Sequence, residues 1–376
     1  MLLNLLDDLI RAPASCKVMI SFQEIDDLYP MMVSLNATLP SKDSAEATII
    51  FETRRLEDGS WIIQDDARIR PWSVISISAT FDDREDPIFE GFIRQVKIEY
   101  PEDQGSASVT VTCQDAGLLL DRTQRTFRWG DEVPVSDGFI ASEILNDAQL
   151  SFLEPPAAGF NDINANQNET DIKFLKKRAQ ENNFDIFFRE GQLYFGPQRF
   201  SLDAQPTVLF YAGTDSHGIN FSIDDDGHHP EAIIYEIANE DDDSTNEVEV
   251  ASNLEALGND DARSSELAQG NFSWRLSREG LTTENQAQQK AQAIANSEAL
   301  RITGSGELDG TRYGHVLLPG DPVELDGLGD THSGKWYVTK VEHSFSMEGY
   351  RQMFEVARNA YGDNVRSLSN PIANLL

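Results

Sequence analysis

The sequence predicts a mainly β protein of the α+β class, with two barrel-like antiparallel β tube domains, a small α/β domain between them and a helical insertion. Three observations support this prediction. Short apolar runs alternate with polar residues in 16–115 and again near the end of the chain, separated by Pro, Gly and Asp clusters. Two central segments show helical spacing of apolar residues instead. A run of Ala, Gln and Glu interrupts the second β region.

These changes of pattern divide the chain into six parts. They are an N-terminal arm (1–14), a first β-barrel tube domain (15–117), a small α/β domain (118–206), a second β-barrel tube domain (207–240 and 300–362), an insertion with a helix (241–299) and a C-terminal tail (363–376). The two β regions resemble each other in strand length and in their acidic turns, which is consistent with an internal duplication.

The first β domain contains six predicted strands, KVMISF, MVSLNATLP, EATIIFET, SVISISATF, IFEGFIRQVKIEY and SASVTVTCQD. In the second of these, alternation places four apolar side chains on one face, those of Val33, Leu35, Ala37 and Leu39. Residues 82–87, DDREDP, are expected to form the turn between two paired strands.

Two helices and a hairpin are predicted for the small α/β domain. The first helix covers 136–150, with Ser136 or Asp137 as its N-cap. The stretch 154–170 after it is rich in Pro, Gly and Asn and is expected to be a loop.

The second helix, TDIKFLKKRAQENN, has an apolar face formed by Ile172, Phe174, Leu175 and Ala179. Asn168 or Thr170 is expected to cap it, with Asp171 in its first turn. FDIFFREGQLYFG is a predicted hairpin with its turn at Glu190-Gly191. The aromatic side chains here could line a ligand cleft, but we favour a small core between helix and hairpin; they are Phe174, Phe184, Phe187, Phe188, Tyr194 and Phe195.

The second β region begins with predicted strands at 208–213 and 231–239. The polar segment 240–275 is expected to be an excursion or loop, and 282–301 a helix. Four closing strands follow, in ITGSGELDG, HVLLPGDPVELDG, GKWYVTKVEHSFS and YRQMFEVARN.

The strong acidity argues against two classes of function. The chain has 64 Asp and Glu against 30 Lys and Arg, a net charge of −34. Such a surface repels phosphate backbones and anionic lipids, so stable nucleic-acid binding and membrane insertion are not expected. A salt-adapted surface, a calcium-binding surface and the lining of a channel remain open explanations of the charge.

The N-terminal segment MLLNLLDDLI is apolar but interrupted by Asp7 and Asp8, and no basic residues precede it. It is too short to span a bilayer and does not fit a signal peptide. We interpret it as an amphipathic arm that docks on a neighbour rather than a frayed tail.

Few residues suggest chemistry. Cys16 and Cys113 lie in strand-like runs and are expected to be buried free thiols. His228 and His229 follow the acidic cluster 224–226, where a metal site is conceivable but a solvated turn is favoured. The acidic run 241–243 is expected to be an exposed loop tip. We therefore expect a protein that is not an enzyme, with no catalytic residue, metal or cofactor.

Residues 169–198 resemble a segment of the phage late control protein D family, which has a helix D-x-x-F-L-x-x-L-A followed by a hairpin ending in L-x-F-G-P. The residues that fit are Asp171, Phe174, Leu175, Ala179, Gly191, Phe195, Gly196 and Pro197. Arg178 departs from the pattern, because an apolar residue is commoner at that place in the family.

The segment 317–359 is also similar to this family. The residues that fit best are Pro319, Gly320, Asp321, Gly334, Tyr337 and Phe354. The rhythm of 85–127 agrees more diffusely, so the resemblance covers about 15 to 362.

The resemblance implies a structural hub of a phage-tail or injection-system baseplate. Members form homotrimers whose six barrel-like domains adapt a hexameric tail tube to a trimeric spike, and they are similar to the N-terminal hub part of VgrG. The implied partners are the chain itself, the tail tube protein, other baseplate proteins and a separate spike protein, because the barrel and spike of VgrG have no counterpart here. The implied location is a particle baseplate, after assembly in the cytoplasm. A cell-wall hydrolase and a glycan-binding component of the tail tip are the alternatives.

Overall fold

The computed structural model describes residues 14–82, 84–100, 102, 107–238, 245–262, 272–276 and 283–362. Nearly all of the expected N-terminal arm, the C-terminal tail and the acidic run 241–243 lie outside these residues.

Strands dominate the described chain. In order they are β1 (Ser15–Ile20), β2 (Gln23–Glu24), β3 (Met32–Pro40), β4 (Glu46–Thr53), β5 (Val74–Phe81), β6 (Arg84–Glu99), β7 (Ala107–Gln114), β8 (Gln124–Trp129), β9 (Ala165–Thr170), β10 (Asp185–Arg189), β11 (Gln192–Gly196), β12 (Gln205–Leu209), β13 (Gly218–Asp225), β14 (Ala232–Ala238), β15 (Thr245–Ala251), β16 (Asp260–Asp261), β17 (Ser273–Arg275), β18 (Ile302–Asp309), β19 (Pro322–Asp326), β20 (Gly334–Ser346), β21 (Gly349–Arg358) and β22 (Ala360–Tyr361).

Helices are fewer. They are α1 (Gly117–Leu120), α2 (Asp137–Ala148), α3 (Asp171–Asn182), α4 (Glu284–Ala299), α5 (Gly310–Tyr313) and α6 (Gly329–His332). The predicted mainly β, α+β class is confirmed.

The described residues form two compact units. Unit one contains those up to Gln198, with Glu307–Gly320 and Thr339–Phe354. Unit two contains those of Arg199–Gly306 and Asp321–Val338, and those from Glu355 onward.

Unit one is built on an antiparallel sheet with the strand order β20-β3-β4-β7-β6-β5-β1-β2. Alternate side chains of these strands point into one apolar core, as period-two patterning requires. The buried row of β4, for example, is Ala47, Ile49 and Phe51. The sheet therefore buries one face along most of its length.

Two local predictions in this sheet are wrong. Val33 is 42% exposed, although Leu35, Ala37 and Leu39 are buried as expected. The β3–β4 register shifts between Met32 and Ser34, and this bulge turns Val33 away from the core. Residues 84–87, expected in a turn, belong to β6, since Phe81 already pairs with Arg84.

A second core in unit one lies between α2, α3 and the β10–β11 hairpin. α2 has the predicted N-cap, since Ser136 Oγ accepts a hydrogen bond of 3.1 Å from Phe139 N. The predicted loop 154–170 is wrong at its end, because β9 pairs with β8 there. The Asn, Gln and Glu side chains of β9 do not resemble a strand pattern, although its backbone pairs regularly with β8.

Unit two contains a three-stranded sheet in the order β15-β14-β17, covered by α4. Small side chains of α4, those of Ala287, Ala291 and Ala295, pack on Ile233 and Tyr235 of β14. The predicted helix and β14 are thus confirmed. The predicted loop 240–275 is wrong where it overlaps β15 and β17.

The remaining strands of unit two include a parallel pair, β12 with β19.

The four closing strands predicted from the sequence are β18, β19, β20 and β21. The strand predicted at 208–213 ends earlier, at Leu209, because Tyr211 has a left-handed φ of 53° that breaks the strand. β13, which contains Asp224 and Asp225, was not predicted.

Substitutions of Leu35 and Val33 should differ in their effect on stability, because Leu35 is buried in the core and the bulge turns Val33 outward. We expect Leu35→Ala to lower the free energy of unfolding by about 2–5 kcal/mol, since a buried side chain is lost. The matched variant Val33→Ala should cost less than about 1 kcal/mol, because that side chain is partly in water. Denaturant unfolding measures both; equal losses would contradict the bulge.

Candidate assembly site

The helix–hairpin module, defined as α3 with β10 and β11, contains the first predicted motif. α3 starts at Asp171, and its apolar face packs on the hairpin. The motif side chains buried in this core are those of Phe174, Leu175, Ala179 and Phe195. Phe184 meets Phe195 edge to face, with ring centroids 5.6 Å apart. Phe174, Phe184, Phe188 and Phe195 thus pack in the core that we favoured over a cleft, whereas the rings of Phe187 and Tyr194 stack on each other with centroids 5.1 Å apart.

Asp171 connects α3 to the β8–β9 pair. Its carboxylate accepts a 2.6 Å hydrogen bond from Gln167 Nε2 and forms an ion pair with Arg125. Gln167 is itself buried and accepts a hydrogen bond of 2.9 Å from Trp129 Nε1. Thr170 is the N-cap residue, but its hydroxyl bonds to Asp121 instead of capping. The acidic residue of the motif is therefore a structural anchor.

Arg178, the residue that departs from the family pattern, pairs with a fully buried carboxylate. Its Nε lies 2.6 Å from Asp137 Oδ1. Asn182 Nδ2 and Phe160 N donate to Asp137 Oδ2 at 2.7 and 2.9 Å. Burial raises the pKa of Asp137, and Arg178 and these donors partly offset the effect. The sequence carried no signal for this pair, because an Arg on an amphipathic helix usually faces water.

The hairpin turn lies where it was predicted. Glu190 and Gly191 have φ values of 49° and 72°, as a two-residue hairpin turn with left-handed residues requires. After β11, Tyr194 Oη donates a 2.6 Å hydrogen bond to Pro197 O, and a side chain at Gly196 would crowd the Tyr194 ring. Gly196 and Pro197 thus close the strand tightly.

Pro319 and Gly320 of the second motif contact the same hairpin. Arg189 Nη2 donates to Pro319 O at 2.7 Å. A Cβ added at Gly320, whose φ is 83°, would lie 2.6 Å from the Phe187 ring. Any larger residue at this position would therefore push the hairpin away.

Asp321 and Tyr337 hold a second buried centre, in unit two. Asp321 forms an ion pair with Arg199, and both side chains are largely buried. Arg199 N donates to Tyr337 Oη at 3.4 Å, and Tyr337 packs edge to face on Phe200. Gly334, with φ 114°, begins β20 ahead of these contacts.

The final motif residue, Phe354, is 2% exposed in β21. Near the start of the same strand, Tyr350 forms a buried polar pair with His343 of β20, whose Nδ1 lies 2.8 Å from Tyr350 Oη. Burial lowers the pKa of the His343 imidazole to about 3, so the ring is neutral near pH 7.

Asp115 lines a small cavity of about 70 Å³ in unit one, together with side chains of β5, β6 and the hairpin. Its carboxylate accepts hydrogen bonds from Ala45 N at 2.6 Å and Gly117 N at 2.9 Å. Burial nevertheless raises its pKa to about 7. No pattern in the sequence indicates that this carboxyl group, which lies directly after β7, is buried.

The two histidines near the acidic cluster make separate contacts. His229 Nδ1 lies 2.7 Å from Glu298 of α4, and 3.8 Å separate its Nε2 from Asp226. The His228 ring packs near that of Phe272. Among residues that the structure describes, no three His, Cys, Asp or Glu side chains are arranged to hold a metal ion. No described helix is long and apolar enough to span a membrane.

One surface of unit one is a concave groove, which we call the unit-one groove. It has a volume of about 650 Å³, and its lining combines the apolar side chains of Ala14, Cys16, Met32, Val33, Phe345 and Met347 with the charged side chains of Lys17, Glu24 and Glu85. Both cysteines are free thiols; Cys113 is buried as expected, whereas Cys16 is only partly buried. A concavity that exposes several apolar side chains is typical of a binding surface.

Residues 12–347 match the family model described as the Alg8 N-terminal domain. The chain belongs to the Alg8 N-terminal domain family. That description does not mention the late control protein D family, which the two motifs resemble. No curated protein matches this member of the Alg8 N-terminal domain family.

Several solved structures share the fold. The 43 kDa tail protein of prophage MuSo2 from Shewanella oneidensis aligns with a TM-score of 0.65 at 11% identity, over 92% of this chain and 98% of that one. The tail protein of Neisseria meningitidis MC58 gives 0.63 at 13%, over 93% and 97%. The E. coli c3393 protein, a type VI secretion component described as similar to T4 tail proteins gp27 and gp5, gives 0.55 at 13%, over 92% and 78%. At such identities the likeness establishes the fold alone.

Truncation of Phe174 tests the core of the module. We expect Phe174→Ala to lower the free energy of unfolding by about 3–5 kcal/mol, because the ring is 2% exposed. Phe139→Ala, which removes a ring that is 48% exposed on α2, should cost much less. Thermal or denaturant unfolding of the two variants gives the comparison; an unchanged melting curve for Phe174→Ala would show that it is not a core residue.

As pH falls, the free energy of unfolding should decrease because of His343 and increase because of Asp115. Between pH 6.5 and 3 the unfolded state protonates His343 and the folded state does not, so its contribution is lost as pH falls. The folded state protonates Asp115 below about pH 7, so its contribution is lost as pH rises toward 7.

Two variants should expose these contributions. From pH 7.5 to pH 5, we expect His343→Gln to gain about 2 kcal/mol of unfolding free energy relative to wild type, and Asp115→Asn to lose a similar amount. Urea unfolding at both pH values measures the differences. Parallel pH profiles for all three proteins would contradict the assigned pKa values.

Proposed function

We propose that this chain is a structural, non-catalytic hub subunit of the baseplate of a contractile phage tail or injection machine. The observation that carries the proposal is the fold shared with two tail proteins along almost the whole length of each chain. The two motifs that resemble late control protein D and the hub part of VgrG add to it. The motif side chains provide packing, tight turns and ion pairs, which suits a rigid scaffold.

The proposed assembly is a homotrimer that adapts a hexameric tail tube to a trimeric spike. A chain with two quasi-equivalent β modules, tripled around a threefold axis, presents six similar faces. We propose 15–117 as one module and 207–240 with 300–362 as the other.

The proposed partners are further copies of the chain, the tail tube protein, a separate spike protein and other baseplate proteins. The net charge of −34 supports a role in which a polyanion passes the protein without adhering to it. We propose neither stable nucleic-acid binding nor membrane insertion. Assembly would take place in the cytoplasm, before incorporation into a particle.

The oligomeric state tests this proposal. We expect size-exclusion chromatography with light scattering to give three times the 42.0 kDa chain mass, alone or after addition of the cognate spike protein. Phe139→Ala serves as a control for an exposed side chain, and its mass should equal that of wild type.

A protein that stays monomeric both alone and with its spike would contradict the hub. Clearing of peptidoglycan in a zymogram, abolished by substitution of a carboxylate, would instead support the hydrolase alternative. Either result leaves the shared fold intact and rejects only the assigned role.

A further inference from the structure

The unit-one groove runs beside a strand edge that has little pairing. β1 pairs with β5 over its whole length, but only Met19 and Ile20 pair with β2 on the other side. Val18 N is satisfied by Tyr29 Oη at 2.9 Å, and Val18 O accepts from Ile25 N. The wall of the groove nearest the start of β1 therefore lacks a neighbouring strand among the described elements.

Apolar side chains of the groove are unusually exposed. Met347, in the β20–β21 turn, is 95% exposed, and Val33 is 42% exposed because of the β3 bulge. A second depression of about 610 Å³ shares Met32, Val33 and Met347 with the groove and extends it. Flexible methionine side chains adapt their shape to an incoming apolar surface.

The N-terminal segment of the chain has the matching chemistry. On a helical projection of residues 1–11, the apolar side chains share one side and Asn4, Asp7, Asp8 and Arg11 share the other. This pattern is typical of a short helix that lays its apolar face into a groove. It leaves the acidic side of the segment in water.

The position of Ala14, where the described chain begins, favours the chain's own N-terminal segment as the occupant of the groove. Ala14 lies on the groove wall and is held there by a 3.2 Å hydrogen bond from its N to Thr311 Oγ1. The tether from Ile10 to Ala14 can extend at most about 14 Å, so the segment is always close to its own groove. Such a short connection gives a high effective concentration, which favours the same chain over a neighbour.

We propose that the apolar side of residues 1–10 occupies the unit-one groove of its own chain and covers Met347, Val33 and Cys16. The inference does not depend on the hub function. The N-terminal arm was expected to dock on a neighbour, but the short tether favours docking on its own chain.

Cys16 offers a native probe of the groove. In the full chain, we expect N-ethylmaleimide to modify Cys16 at least about tenfold more slowly than in the variant Leu5→Asp/Leu9→Asp, whose segment cannot dock. Asp7→Asn, on the polar side of the segment, is the matched control and should react like wild type. Mass spectrometry reports each thiol, and Cys113, which is fully buried, must stay unmodified in every folded variant.

A substitution on the groove side gives an independent test. Met347→Asp should also speed the modification of Cys16, whereas Met353→Asp, at a site 42% exposed outside the groove lining, should not. Both side chains are exposed enough that the fold should tolerate the change. Equal Cys16 rates in wild type, Leu5→Asp/Leu9→Asp and Met347→Asp would overturn the proposal. Protection that grows with protein concentration would overturn the own-chain occupant and identify a second copy instead.

Discussion

Each strand in the sheet of unit one buries one face, and this constraint positions most of that unit. Leu35 lies opposite Ile49, and Ile49 lies opposite Val111, so one buried row crosses three strands. Because side chains alternate, a slip of one residue in any pair would turn a whole buried row into water. The apolar pattern therefore fixes the register. The bulges in β3 and β6 change the course of a strand without disturbing the rows on either side.

Buried ion pairs carry a second kind of information. Two such pairs are Asp137 with Arg178 and Arg199 with Asp321. Burying their charges costs desolvation free energy, which only close, well-directed hydrogen bonds between the partners can offset. Such pairs add little net stability, but they penalise any packing that separates the partners. In the helix–hairpin module this requirement fixes how α3 lies against the start of α2. A scaffold that must present defined surfaces benefits from that kind of restriction.

The elements that follow simple periodicity could be predicted from the sequence. The strands β1 and β3 to β7 of unit one, the helices α2, α3 and α4, and the Glu190-Gly191 turn all have local signals that agree with their packing. The strand β9 was missed because polar residues dominate it, and β17 because it has only three residues. The strands β13 and β15 do alternate, with Ile219, Phe221 and Ile223 in one and Val248 and Val250 in the other, but their acidic residues favoured a loop interpretation. Val33 was misplaced because a bulge has no signature in an alternating run. The buried Asp115 and the partner of Arg178 depend on contacts between distant segments, which no spacing rule contains.

The pairing of β3 with the end of β20 has a consequence for biosynthesis. Pro40 of β3 lies opposite Lys340 of β20. During translation, β3 therefore cannot pair with β20 until three hundred more residues have been synthesised. Loop closure over such a span is slow, and the backbone N–H and C=O groups of β3 that pair with β20 remain without their partners while the ribosome completes the chain. Partly translated chains therefore expose an aggregation-prone edge, and a chaperone that shields nascent β-strands would raise the yield of native protein.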